Sequence, residues 1–265
     1  VDGRGTAAVR AAATDPRALE RLVRSAFRNN ARYYLEVART PAIRPGDIDK
    51  RLIIETPDAV AGAFVPGSPV IFVGLHFGSL ELPALLLASR VGGAVAPMET
   101  IDDDALQAWF IRTRGAAGIR IVGLREARRE LLTALREGVS VGLVGDRDLT
   151  GGGLPVTLFG APAMLPLGPA MLTVESGAPA YVVAVRRVGI GRYRGGVELI
   201  PVPVEGSRRE RVTATMTAMA AAFERSIATA PEQWWAIFFP IWPDLERAVA
   251  GTPAPAEQSA PKAAA

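Results

Sequence analysis

The sequence contains no cysteine, a single histidine and only two lysines. The first absence excludes disulfides, thiolate metal sites and cysteine nucleophiles, and it fits a reducing compartment. The second means that any imidazole chemistry passes through His76. As to the third, Lys50 and Lys262 stand alone among 30 basic residues, so arginine carries nearly all the positive charge. Arginine forks suit phosphates and carboxylates, although the accompanying wealth of Ala, Gly and Pro also fits GC-rich coding. No uncharged apolar run in the sequence reaches the length of a membrane-spanning helix, about 18 residues or more. The nearest, 80–98, is broken by Glu81 and Arg90 and punctuated by Pro83 and Pro97. Gly145 to Gly153 does not end in the Gly-Lys-Ser/Thr of a phosphate-binding loop. Gly189-x-Gly191-x-x-Arg194 lacks the third glycine of a dinucleotide fingerprint.

What is present is an ordinary globular composition: 265 residues, 49% hydrophobic, 22% charged, net charge +3. One α/β domain over 1–250 accommodates it, followed by a Pro/Ala-rich tail, 251–265, expected to be disordered. The first residue is Val and no signal-peptide pattern follows, which leaves room for a missing leader or N-terminal membrane element. Residues 1–15 read as a loose start. Over 16–39, apolar positions Leu19, Leu22, Val23, Phe27, Tyr34 and Leu35 recur near a helical period with arginines between them. Such a helix lies on an anionic membrane or packs on its own domain. Strands are expected at 52–55, 70–75, 94–96, 119–122, 139–144, 156–159, 180–185 and 197–200. Helices are expected at about 79–90, 102–116, 125–136, 168–176 and 208–229, with a turn at Arg194-Gly-Gly and an aromatic closing segment from Trp234. Alternation of this kind predicts a central, mostly parallel or mixed sheet flanked by helices.

In such sheets ligands collect beyond the carboxyl ends of the strands. His76 and Asp146-Arg147-Asp148 each follow directly on a buried apolar run, so both are expected on one rim. A histidine at a strand-ending corner presents one ring nitrogen to a substrate while a carboxylate holds the other. Glu81, on the first turn of the next helix, is the expected holder. The pair His76 and Glu81 then forms a general base and its orienter, with the nucleophile supplied by the substrate. Ser79 reads as a helix cap rather than a nucleophile, and His76 has no second His or Cys with which to hold zinc. The 145–153 loop is a candidate anion-binding turn with Arg147 as its fork. The bland alternatives are a structural histidine and a plain turn.

Taken together, His76-Phe-Gly-Ser-Leu-Glu81, Gly145-Asp-Arg-Asp-Leu, Phe159-Gly160 with Leu165-Pro-x-Gly-Pro-Ala170, and Gln233-Trp-Trp with Pro-Ile-Trp-Pro-Asp244 resemble the bacterial lipid A biosynthesis/lysophospholipid acyltransferase family. The likeness is strongest to its phosphatidylinositol mannoside acyltransferase branch and runs from about Arg28 to Leu245. It implies a glycerolipid-acyltransferase-like fold and O-acyl transfer from acyl-CoA or acyl carrier protein to a glycolipid hydroxyl, with acyl-CoA as co-substrate and no resident cofactor or metal. It also implies a peripheral place on an anionic membrane surface, at the cytoplasmic face of the bacterial plasma membrane, and no nucleic-acid partner. Carried onto this chain, Arg114 and Arg147 are candidates to meet the oxyanion, and Glu99 resembles an acid near the acceptor headgroup. With Gly78, Ser79 and Asp146 they make up the candidate substrate-binding set. The branch often has an acid after Phe-Gly, where this chain has Ala161. That departure motivates two alternatives: a non-catalytic acyl-CoA or lipid-binding protein, and an acyltransferase with a different acceptor.

Overall fold

The apolar run before His76 forms the middle of a sheet. In the computed structural model, which describes residues 5–65, 67–148, 151–235 and 241–243, strand β2 (Ile71–Gly74) is buried along its whole length. The seven-stranded sheet has the spatial order β1 (Leu52–Ile54), β9 (Arg192–Leu199), β8 (Ala180–Gly189), β2, β5 (Val141–Val144), β3 (Ala94–Met98) and β4 (Ile119–Gly123). Its pairs are parallel except for the β8–β9 hairpin. A two-stranded antiparallel ribbon, β6 (Leu154–Leu158) and β7 (Ala161–Leu165), stands apart from it. The helices are α1 (Ala7–Ala13), α2 (Pro16–Arg39), α3 (Pro45–Arg51), α4 (Pro57–Ala63), α5 (Glu81–Val91), α6 (Asp104–Ala116), α7 (Ala127–Arg136), α8 (Gly168–Ser176) and α9 (Arg208–Ala228). The fold is thus the α/β arrangement that the alternation predicts.

Alternation along β2 divides the core. Ile71 and Val73 face a large cluster with Leu131 and Leu135 of α7, Leu172 of α8 and Phe223 of α9. Phe72 faces the other way, toward Ala63 of α4, Tyr181 and Val197. Next to that second cluster, Leu82 and Leu85 of α5 pack on Val185 and Tyr193. The chain therefore leaves β2 along one face, through α5, and leaves β5 for the opposite face, toward α8. Neighbouring strands whose connections diverge in this way open a crevice at their carboxyl ends.

Local chemistry accounts for the helix ends. Asp15 accepts the Arg17 N–H ahead of Pro16 in α2, and Ser207 and Glu210 form a reciprocal capping box on α9. Gly92 and Gly177 close α5 and α8 in the left-handed conformation.

Several sequence expectations need correction. Residues 7–13, assigned to a loose start, form α1 under a Thr6 cap. The glycines of Arg194-Gly-Gly lie inside β9, and the turn comes earlier, at Ile190–Gly191. They mark close approach rather than reversal: a Cβ on Gly195 would sit 2.4 Å from the Ala184 carbonyl, and one on Gly196 would sit 2.4 Å from Thr56 Oγ1. Ser79 precedes α5 without capping it; Leu80 is the cap residue, and no side chain bonds there. The tail at 251–265 lies outside the described residues.

Candidate active site

The corner after β2 is tied down on three sides. The Phe77 N–H reaches back to the Leu75 carbonyl at 2.7 Å, and the Ser79 N–H donates to the Val185 carbonyl of β8 at 2.9 Å. Gly78 adopts φ +56°, and a Cβ there would come 2.0 Å from that same carbonyl, so glycine alone fits. From the far end of the chain, the Gln233 carbonyl accepts the Gly78 N–H at 2.9 Å, and the Trp235 N–H donates to the His76 carbonyl at 2.8 Å.

Asp146 stands across the crevice, immediately after β5. Gly145 lets the strands close on each other: its N–H donates to the Gly74 carbonyl at 2.9 Å, and a Cβ on it would meet Val73 at 2.7 Å. The Asp146 side chain is 1% exposed. Its Oδ1 lies 2.9 Å from His76 Nδ1, and its two oxygens accept the His76 backbone N–H at 3.1 and 3.0 Å. Oδ2 also accepts the indole N–H of Trp234 at 2.8 Å. An ionised carboxylate only accepts, so Nδ1 carries the proton and Nε2 keeps its lone pair. Burial pulls the imidazole pKa down, but the hydrogen bond and charge of Asp146 outweigh it and hold the value above the usual 6.5. About a quarter of the His76 side chain is open to solvent.

Glu81 is therefore not the residue that orients His76. Its buried carboxylate faces α6 and is gripped at both oxygens by Arg114, Nη2 to Oε1 at 2.7 Å and Nε to Oε2 at 3.3 Å. The Arg114 guanidinium also contacts Met98 Sδ at 3.1 Å and lies 4.8 Å over the Phe110 ring. A carboxylate taken this far out of water needs a cation, and Arg114 is the one placed to meet it. Glu99 and Arg147, at the ends of β3 and β5, pair with each other at 3.4 Å, and their charges reach His76. The anion-binding turn fares less well. Asp148 accepts the N–H groups of Gly151 and Gly153 at 3.1 and 2.6 Å, so these two amides are already occupied.

An apolar cavity of about 140 Å³ opens beside the corner, between the sheet and α4–α5. Leu75, Phe77 and Ser79 line it on either side of His76, and the Glu81–Arg114 pair contributes polar groups. Trp235 flanks the imidazole with ring centroids 6.5 Å apart and packs against Tyr33 of α2 at 3.8 Å, the two rings tilted by 45°. Sequence reasoning assigned no orienting role to Asp146 or Trp234. The signal for Asp146 was an acid placed directly after a second buried strand.

A mostly parallel sheet with a buried carboxylate and an imidazole together at its switch point, beside an apolar cavity, defines the class of the protein as α/β with a candidate acid–base site at the strand ends. Comparison with known proteins gives this class its family. The sequence model described as bacterial lipid A biosynthesis acyltransferase matches residues 14–240, and the chain belongs to that family. It is similar to the phosphatidylinositol mannoside acyltransferase of Mycolicibacterium smegmatis, with 28% identity over 80% of this chain and 70% of the relative. The protein of the same name from Mycobacterium tuberculosis is 29% identical over 84% of this chain and 70% of the relative.

Proposed function

We propose that this acyltransferase moves a long-chain fatty acyl group from a thioester donor, acyl-CoA or acyl carrier protein, to a hydroxyl of a membrane glycolipid of the phosphatidylinositol mannoside type. The observation that carries the reading is the 2.9 Å contact between His76 Nδ1 and a buried carboxylate, at a corner whose neighbouring residues Leu75 and Phe77 line an apolar cavity. His76 Nε2 takes the proton of the acceptor hydroxyl as its oxygen attacks the thioester carbonyl carbon. Asp146 holds the tautomer and balances the imidazolium that forms. As the tetrahedral intermediate collapses, the carbon–sulfur bond breaks and the imidazolium returns its proton to the departing thiolate. The products are an ester and a free thiol, with no covalent enzyme intermediate. The cavity takes the acyl tail, whose burial contributes about 0.8 kcal/mol per methylene.

The acceptor is a lipid, and α2 supplies a surface to meet its membrane. Leu19, Val23, Phe27, Tyr34 and Leu35 are exposed along the helix, between Arg17, Arg21, Arg24, Arg28 and Arg32. Among the described residues no helix is long and apolar enough to cross a membrane. The protein then works as a peripheral enzyme on an anionic leaflet, the cytoplasmic one where acyl-CoA is found.

The test is transfer of labelled acyl-CoA to a bacterial lipid extract by the wild-type protein and by His76→Ala. Labelled glycolipid is expected from the wild type, with a loss of about 100- to 10,000-fold in the variant and an unchanged fold by circular dichroism. Undiminished turnover in the variant rejects the mechanism. Tight binding without product points to a lipid-binding protein, and release of free fatty acid alone points to a thioesterase.

A further inference from the structure

The carboxylate that holds His76 is itself held, by a residue with no part in the proton transfer. We infer that Trp234 is a positioning residue whose indole N–H fixes Asp146, so that the imidazole keeps one orientation and one tautomer. The inference rests on the acyl-transfer reading of His76.

Asp146 has two oxygens to anchor, and its side chain is buried away from solvent. Oδ1 takes the imidazole Nδ1–H, and both oxygens share the His76 backbone N–H. The Trp234 indole, 2.8 Å from Oδ2, is the donor that opposes the imidazole across the carboxylate. Without it Oδ2 keeps only the shared amide, and the carboxylate is free to rotate about its bond to Cβ. Indole has one donor and no acceptor, so the Trp234 ring has no other hydrogen bond to make.

The indole is fixed in turn. It packs edge-on against Trp242 at 5.9 Å and lies 6.2 Å from Phe159, whose backbone turns through φ +50°. The flanking residues Gln233 and Trp235 bond the backbone of the His76 corner, and Trp234 itself bridges to Phe77. Three consecutive residues thus reach the same corner, two through the main chain and one through its ring. Gln233 anchors the segment from below: its carboxamide pairs with both the N–H and the C=O of Arg187 at 2.8 Å. Arg187 is clamped by Glu36 at 2.7 Å through two nitrogens and by Asn29 at 3.1 Å, both from α2.

A donor to a carboxylate stabilises its anion and lowers its basicity. The indole N–H therefore tempers the upward pull of Asp146 on His76 as well as aiming it. The other charged groups that reach the imidazole are Arg147 and Glu99, and the aromatic wall beside it is Trp235. Replacing Trp234 leaves all three in place.

Trp234→Phe keeps an aromatic ring and removes the N–H. Because His76 is the only histidine, its titration is read by NMR without assignment. The expected result is an upward shift of the His76 pKa and of the acid limb of the pH–rate profile. The rate constant kcat should fall by about 10- to 100-fold, the worth of one charge-assisted hydrogen bond, with KM for the donor nearly unchanged. In an Asp146→Ala background the same change should cost almost nothing further, because its target is gone. Replacing the indole by benzothiophene at the same position preserves shape and packing and should reproduce the effect. Equal losses in both backgrounds, wild-type behaviour of the benzothiophene variant, or an unmoved pKa each overturn the inference. If the wild-type protein transfers no acyl group from any donor, the function proposed above fails on its own, and the titration still decides the role of Trp234.

Discussion

An imidazole sunk beside a carboxylate titrates under two opposed influences, and the winner fixes the sign of its pH dependence. Burial disfavours the cation at His76, but Asp146 favours it more strongly, and the pKa lies above 6.5. A raised pKa means that folding stabilises the protonated form. That contribution is complete below about 6.5, the ordinary histidine value, and is lost as pH rises through the folded-state value. The melting temperature of the wild type, measured against that of Asp146→Asn across this window, should therefore lose its advantage as pH rises. Under the proposed mechanism activity runs the other way, because His76 would act through a neutral Nε2: kcat should climb with pH along an acid limb above 6.5. Asp146→Asn should lower kcat by about 100- to 10,000-fold and bring the residual limb down. A wild-type limb at or below 6.5 would contradict the pairing. His76 was legible in the sequence because a lone histidine at a strand-ending corner has few structural duties. The identity of its partner was not. Glu81 is five residues away and Asp146 seventy, and local spacing says nothing of two strands meeting at a switch point. Nor does it show that Arg114, on a separate helix, claims Glu81.

Among the elements, α2 has the most divided allegiance. Its inner side is buried through polar contacts, Glu36 to Arg187 and to the Tyr193 hydroxyl, and Asn29 to Arg187. Its outer side exposes apolar residues at helical spacing among arginines. The helix is thus fastened to the domain by the Glu36–Arg187 ion pair and its neighbouring hydrogen bonds, and it exposes apolar side chains on its outer side. Salt-sensitive flotation with anionic vesicles is the expected behaviour, since each arginine near such a surface contributes about 1 kcal/mol and loses much of it at high salt. Tyr34→Glu with Leu35→Glu should weaken vesicle binding by at least about tenfold without lowering the melting temperature, because both residues are more than half exposed. Equal flotation of the double variant would remove α2 from the membrane surface. Periodicity made the helix readable and left both of its packings open. The decisive residues are Arg187 and Tyr193, on strands far along the chain, and nothing near α2 in sequence announces them. The same limit hid the short helix α4, which packs on the distant strand β9.

On the scale of the whole molecule, the sheet serves as the floor of the cavity as well as the frame of the site. Lining residues come from all seven of its strands, from Leu52 on β1 to Ile119 on β4, so the cavity runs across the strands. At about 4.8 Å per strand, the five from β9 to β3 span about 19 Å. Along this floor Gly74 and Gly142, on adjacent central strands, contribute no side chain and keep the passage open. A Cβ on Gly74 would meet only Leu80 Cδ1 at 3.5 Å and the Leu143 carbonyl at 3.9 Å, both ordinary contacts, so the backbone tolerates a side chain there. Gly74→Leu should therefore fold and place a branched side chain across the cavity two residues before His76. With a panel of acyl-CoA donors, long-chain substrates are expected to lose kcat/KM by at least tenfold, since each methylene denied burial is worth about fourfold. Acetyl and butyryl donors, whose tails stop short of the obstruction, should change little. Equal losses at every chain length would mean that the substitution damages the His76 corner itself. An unchanged long-chain preference would mean that the acyl tail lies elsewhere than in this cavity.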